Sequence, residues 1–122
     1  MRGKVLIVED STTMRDQLRR ALVPAGYEVI DARDGVEGIE MVKRHPDLVL
    51  LICDVNMPRM DGITMIETLR AEGPMAPILM LTTEGQPELI QKAKAAGARG
   101  WIIKPFDPRL LVKAVSSLAR PL

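Results

Sequence analysis

A chain of 122 residues and 13.5 kDa is the size of one compact domain, so a single domain over residues 1–122 is expected, with no room for a second. A hydrophobic share of 47% and a charged share of 27% exclude disordered and fibrous classes, and 17 basic residues scattered among 16 acidic ones leave no electrostatic footprint for nucleic acid or an anionic membrane. Cys53 alone forms neither an internal disulfide nor a structural zinc site, and the longest apolar run, Leu48 to Cys53, is far short of the ~20 residues a membrane span needs, so a cytoplasmic protein is expected.

Apolar runs that read as buried strands alternate with segments of helical period, the pattern of a parallel sheet with helices on both faces. The first strand is Val5 to Val8, ending at Glu9 and Asp10. Ser11 to Thr13 supply helix-start chemistry, with Thr13 and Asp16 spaced as a capping box, and Met14, Leu18 and Leu22 form the inner face of the helix. Pro24 and Gly26 stop it, and Tyr27 to Ile30 make a second strand whose polar Glu28 suits a sheet edge. Ile39 and Val42 mark the second helix, which His45 closes as an ordinary helix-end residue.

Leu48 to Cys53, the most apolar run, is the expected central strand. It ends at Asp54, and a loop rich in proline, glycine and methionine leads to a third helix with Ile63, Ile66 and Leu69 on one side. Ile78 to Leu81 form the fourth strand, followed by Thr82, Thr83 and Glu84. Pro87 then opens a helix carrying Leu89, Ile90, Ala93 and Ala96 and stopping at Gly97. Trp101 to Ile103 are the fifth strand; Asp107 caps and Pro108 opens a last helix with Leu110, Leu111, Ala114, Val115 and Leu118 inward.

Ligands of an open parallel sheet bind beyond the carboxyl ends of its strands. The residues there are Glu9 and Asp10, Asp54, Thr82 and Lys104: three carboxylates, a hydroxyl and an ammonium at one edge. Carboxylates so gathered repel one another unless a hard divalent cation with oxygen ligands neutralises them, and magnesium with Lys104 balances the charge. Such a set suits phosphoryl chemistry, in which a carboxylate serves as nucleophile, and Asp54 at the end of the most buried strand is best placed for it. Cys53 before it reads as a buried, inert thiol, and Met57 and Met60 as packing of the loop.

These segments resemble the receiver domain of two-component response regulators, and within that family the stand-alone chemotaxis regulators. The likeness spans the chain and is carried by Leu6 to Ser11, by Asp54 to Gly62, by Leu81 to Glu84, and by Gly97 to Phe106. It implies a flavodoxin-like (βα)5 α/β fold with a five-stranded parallel sheet of order 2-1-3-4-5. It also implies a phosphoacceptor at Asp54, and magnesium held by Asp10, Asp54 and the backbone carbonyl of Asn56, with Glu9 as the further acid. Lys104 corresponds to the phosphate-contacting lysine, Thr82 to the switch hydroxyl and Trp101 to the switch aromatic. Asn56 and Glu84 occupy positions that tune hydrolysis of the acyl phosphate, and Lys104-Pro105 resembles a cis peptide of the family.

The resemblance further implies a protein, not a metabolic enzyme, that catalyses its own phosphorylation and dephosphorylation. Its expected partners are a sensor histidine kinase, a target bound on the face of the fourth helix, fifth strand and fifth helix, such as a flagellar motor switch, and a phosphatase. A monomer without direct nucleic-acid or membrane contact is expected. The alternatives are a phosphorelay intermediate or a receiver cut from a longer transcriptional regulator. A haloacid-dehalogenase-type phosphatase wants an acid where Asn56 stands, and a flavin binder suits neither the acidic edge nor the few aromatics.

Overall fold

Five apolar runs become five parallel strands in the computed structural model, which describes residues 2–122. In chain order they are β1 (Gly3–Val8), β2 (Tyr27–Ala32), β3 (Leu48–Cys53), β4 (Ile78–Thr82) and β5 (Gly100–Ile103), each followed by a helix: α1 (Thr12–Leu22), α2 (Gly35–Arg44), α3 (Gly62–Glu72), α4 (Pro87–Ala96) and α5 (Pro108–Leu118). The sheet order is β2-β1-β3-β4-β5, as the resemblance implied, with β3 central and β2 at an edge.

Alternation along the strands divides the core between the two faces of the sheet. Leu6 and Val8 of β1, Leu51 and Cys53 of β3 and Met80 of β4 face Ile63, Met65, Ile66 and Leu69 of α3 and Ala93 and Ala96 of α4. Val5, Ile7, Leu50, Ile52, Leu79 and Leu81 face Leu18 and Leu22 of α1 and Leu111 and Val115 of α5. Every residue of β3 is buried, so its run of six apolar residues is explained by packing on both faces. Among the described residues no helix is long and apolar enough to cross a membrane.

Three local expectations are corrected. The cap of α1 is Ser11, whose hydroxyl accepts from the Met14 amide at 3.2 Å, rather than a Thr13–Asp16 box; Asp16 instead pairs with Arg20 one turn on. A cap must precede the helical dihedrals, and Thr12 and Thr13 already lie inside them. Leu110 points to solvent at 63% exposure, because the inner stripe of α5 runs through Leu111 and Val115 and the adjacent position falls about a quarter-turn off it. Tyr27 to Ile30 is too short for β2, which continues to Ala32 by pairing with Val8 of β1.

Candidate functional site

Parallel strands joined by helices deliver their carboxyl ends to one edge, and the residues that follow β1, β3, β4 and β5 meet there. Glu9 is held by its neighbours: its amide donates to the Ala32 carbonyl, its carbonyl accepts from Arg15 Nη1 at 2.7 Å, and its Oε1 accepts from the Ser11 amide at 3.2 Å. Asp54 continues from β3 with its amide on the Val8 carbonyl at 3.1 Å. Glu9, Asp10 and Asp54 each offer a carboxylate oxygen, all within 4.8 Å of one another; Glu9 and Asp54 are buried and Asp10 is exposed.

Lys104 enters from the end of β5 and lies between two of these acids, its Nζ 2.8 Å from Glu9 Oε2 and 2.9 Å from Asp54 Oδ2. The peptide to Pro105 is cis. Burial works against the ammonium, but the hydrogen bonds to Glu9 and Asp54 outweigh it and raise the Lys104 pKa. Glu9 is also raised above the ordinary carboxylate value: burial is the main cause, the Asp54 charge adds to it, and the bonds from Lys104 and Ser11 offset only part. Two nearby carboxylates thus share one cation, and one of them resists ionisation.

The remaining predicted residues form a relay over β4. Asn56 donates its amide to Asp54 Oδ1 at 3.4 Å and its side-chain Nδ2 to Glu84 Oε1 at 3.1 Å. The Glu84 amide donates to the hydroxyl of Thr82, which is fully buried, at 3.3 Å, and the Glu84 carbonyl accepts from Trp101 Nε1 at 3.0 Å. All eight residues singled out in the sequence, Glu9, Asp10, Asp54, Asn56, Thr82, Glu84, Trp101 and Lys104, therefore belong to one edge. Cys53 is buried among apolar groups and donates to the Asp54 carbonyl; burial holds its thiol far above the ordinary value.

Three contributors escaped the sequence reading. Gly62 backs the main chain of Asp54: a Cβ there would overlap the Asp54 carbonyl oxygen and lie 2.8 Å from Cys53 Sγ. Arg15 anchors Glu9 from one turn into α1. Arg59 reaches Asp34, the N-cap of α2, across the loop that carries Asn56. Gly62 was readable as part of a turn, but the partners of Arg15 and Arg59 are set by tertiary approach.

Three clustered carboxylates with one exposed member fit a hard divalent cation with all-oxygen coordination, because the exposed side leaves positions for water and substrate oxygens. Comparison with known proteins gives the same direction. The family model described as "Response regulator receiver domain" matches residues 5–116. The chain belongs to the response regulator receiver family. This receiver is 40% identical over 111 residues to chemotaxis protein CheY1 of Helicobacter pylori, covering 88% of this chain and 90% of that one. It superposes with a TM-score of 0.88 on chemotaxis response regulator CheY4 of Vibrio cholerae at 41% identity, covering 97% of this chain and 99% of that one. A CheX-CheY-BeF3-Mg complex from Borrelia burgdorferi also matches, at TM-score 0.88 and 31% identity over 97% of this chain and 90% of that one. The receiver is thus similar to chemotaxis CheY proteins in sequence and fold.

Proposed function

We propose that this receiver accepts a phosphoryl group on Asp54 from a histidine kinase and, once phosphorylated, binds a chemotaxis target. The observation that carries the reading is the Asp54 carboxylate at the end of β3, 2.9 Å from Lys104 Nζ and clustered with Glu9 and Asp10. An Asp54 carboxylate oxygen forms the O–P bond as the P–N bond to the donor imidazole breaks, the electron pair staying on the imidazole nitrogen. Lys104 pairs with the phosphoryl oxygens, and Thr82 offers them its hydroxyl. Glu9, Asp10, Asp54 and the Asn56 carbonyl would hold magnesium, which supplies charge neutralisation at the phosphoryl oxygens.

Asn56 and Glu84, bonded to each other at 3.1 Å, stand where water would approach the acyl phosphate and set its lifetime. Phosphorylation replaces one charge on Asp54 with about two and adds strong acceptors. Recruiting the Thr82 hydroxyl releases the Glu84 amide that bonds it, and Trp101, held through Glu84, follows. The signal reaches the α4–β5–α5 face, where Ile103 of β5 is 45% and Leu110 of α5 63% exposed, apolar side chains open to a partner such as a flagellar motor switch protein. The CheX-bound relative supports a further partner of that type, and cytoplasmic action completes the reading.

The test is the fluorescence of Trp101, the one tryptophan of the chain, during addition of magnesium and then acetyl phosphate or beryllofluoride, with Asp54→Asn beside it. A magnesium-dependent change absent from the variant is expected, with a phosphoryl mass added only to the parent. A parent that gains no phosphoryl mass overturns the mechanism.

A further inference from the structure

Arg59 has a backbone φ of 63°, the left-handed region in which a Cβ is crowded and asparagine or glycine is more at ease. Its side chain supplies the restraint that holds it there. Nε lies 2.7 Å from Asp34 Oδ2 and Nη2 lies 3.2 Å from Asp34 Oδ1, the two-pronged geometry that a guanidinium makes with a carboxylate. Asp34 is buried at 5% exposure, and its Oδ1 also accepts from the Glu37 amide at 2.9 Å, capping α2. Burial works against its charge, but the bonds from Arg59 and the helix amides outweigh it and hold the carboxyl below its ordinary value.

A second contact runs beside the first. The Gly35 amide donates to the Met60 carbonyl at 3.2 Å, and a Cβ on Gly35 would sit 2.8 Å from that oxygen, so the two backbones touch. The β2–α2 turn and the β3–α3 loop are thereby joined at Asp34–Gly35 and Arg59–Met60. The loop so held is the one that presents Asn56 to both Asp54 and Glu84.

We infer that the Arg59–Asp34 pair is a clasp that fixes the β3–α3 loop, and with it the Asn56 backbone, in the register that magnesium binding requires. The inference rests on the proposed function. Arg59 and Asp34 are positioning residues: they act on the metal through the loop. Charge alone makes a different forecast, because removing the Arg59 cation would tighten divalent binding while removing the Asp34 anion would weaken it.

The test uses the full chain and magnesium alone, titrated calorimetrically against the parent, Arg59→Asn, Asp34→Asn and the double variant. Asparagine tolerates the left-handed φ at position 59 and still caps a helix at position 34, so each substitution removes the clasp and little else. Both single variants are expected to bind magnesium at least about five-fold more weakly, the double variant no worse than either, with faster amide exchange over residues 55–60 in the absence of metal. An Arg59→Asn variant that binds as tightly as the parent, or more tightly, overturns the clasp, as does unchanged exchange of the loop. A parent that neither binds magnesium nor reacts with acetyl phosphate overturns the phosphoacceptor reading and this inference together.

Discussion

The indole Nε1 of Trp101 donates to the Glu84 carbonyl at 3.0 Å, tying β5 to the loop after β4 through a bond that a phenylalanine at this position could not make. Glu84 is also bonded through its amide to Thr82 and through its carboxylate to Asn56, so one residue links the loop after Asp54 to the aromatic. Trp101→Phe keeps most of the apolar contact and deletes the donor. It is expected to lower stability by about 0.5–1.5 kcal/mol in urea unfolding and to speed amide exchange over residues 84–86. Unchanged exchange there would mean that the indole bond does not hold the loop.

Lys104 is the cation shared by two buried carboxylates, with 12% of its side chain exposed. Lys104→Met leaves Glu9 and Asp54 facing each other without it, a loss of about 3 kcal/mol at neutral pH by analogy with other buried pairs broken on one side. The sign with pH follows from Glu9, whose folded pKa is already raised and rises further without the lysine. The penalty attaches to the ionised form, so it is small below the unfolded value of about 4.5 and grows as pH rises through the folded value. Thermal unfolding of parent and variant at several pH values is expected to show the gap narrowing in acid. Adding magnesium should narrow it at neutral pH.

Gly62 tests whether the main chain behind Asp54 tolerates displacement. A methyl group at this position meets the Asp54 carbonyl oxygen and Cys53 Sγ, one of them backbone within the central strand's exit, where nothing yields cheaply. Gly62→Ala is expected to destabilise by about 2–3 kcal/mol and to slow phosphorylation by acetyl phosphate in the fraction that remains folded. Urea midpoints and phosphorylation rates measured on the same preparation separate the two effects; normal values of both would show that the α3 N-terminus can withdraw.

Much of this architecture is legible in the chain because strands buried on both faces must be continuously apolar, and the carboxylates that follow β1 and β3 mark where those apolar runs end. That is why Glu9 and Asp54 could be placed from their neighbours alone. Helix faces were less legible: Leu110 and Leu111 differ by one position, and only packing against the sheet decides which is inward. The Ser11 cap was obscured by two threonines of similar chemistry beside it. The Arg59–Asp34 pair spans 25 residues and depends on two loops approaching, so neither residue type nor spacing announced it.

Asp34 offers a pH signature of its own. In the folded chain its pKa is lowered: burial opposes the charge, but the Arg59 guanidinium and the amides of Glu37 and Val36 overcome that. A depressed carboxyl contributes stability above its unfolded value, near the ordinary 3.8, and loses it as pH falls through the folded value below that. The unfolded chain binds the proton first, so over this window stability rises with pH. Asp34→Asn keeps a helix cap but has no proton to take up. The stability difference between parent and variant, from urea unfolding at successive pH values, is therefore expected to be constant from about pH 7 down to about pH 5 and to shrink below about pH 4. A difference that stays level into that acid range would show that the Asp34 charge is not what the fold uses, and that its role is met by the cap geometry alone.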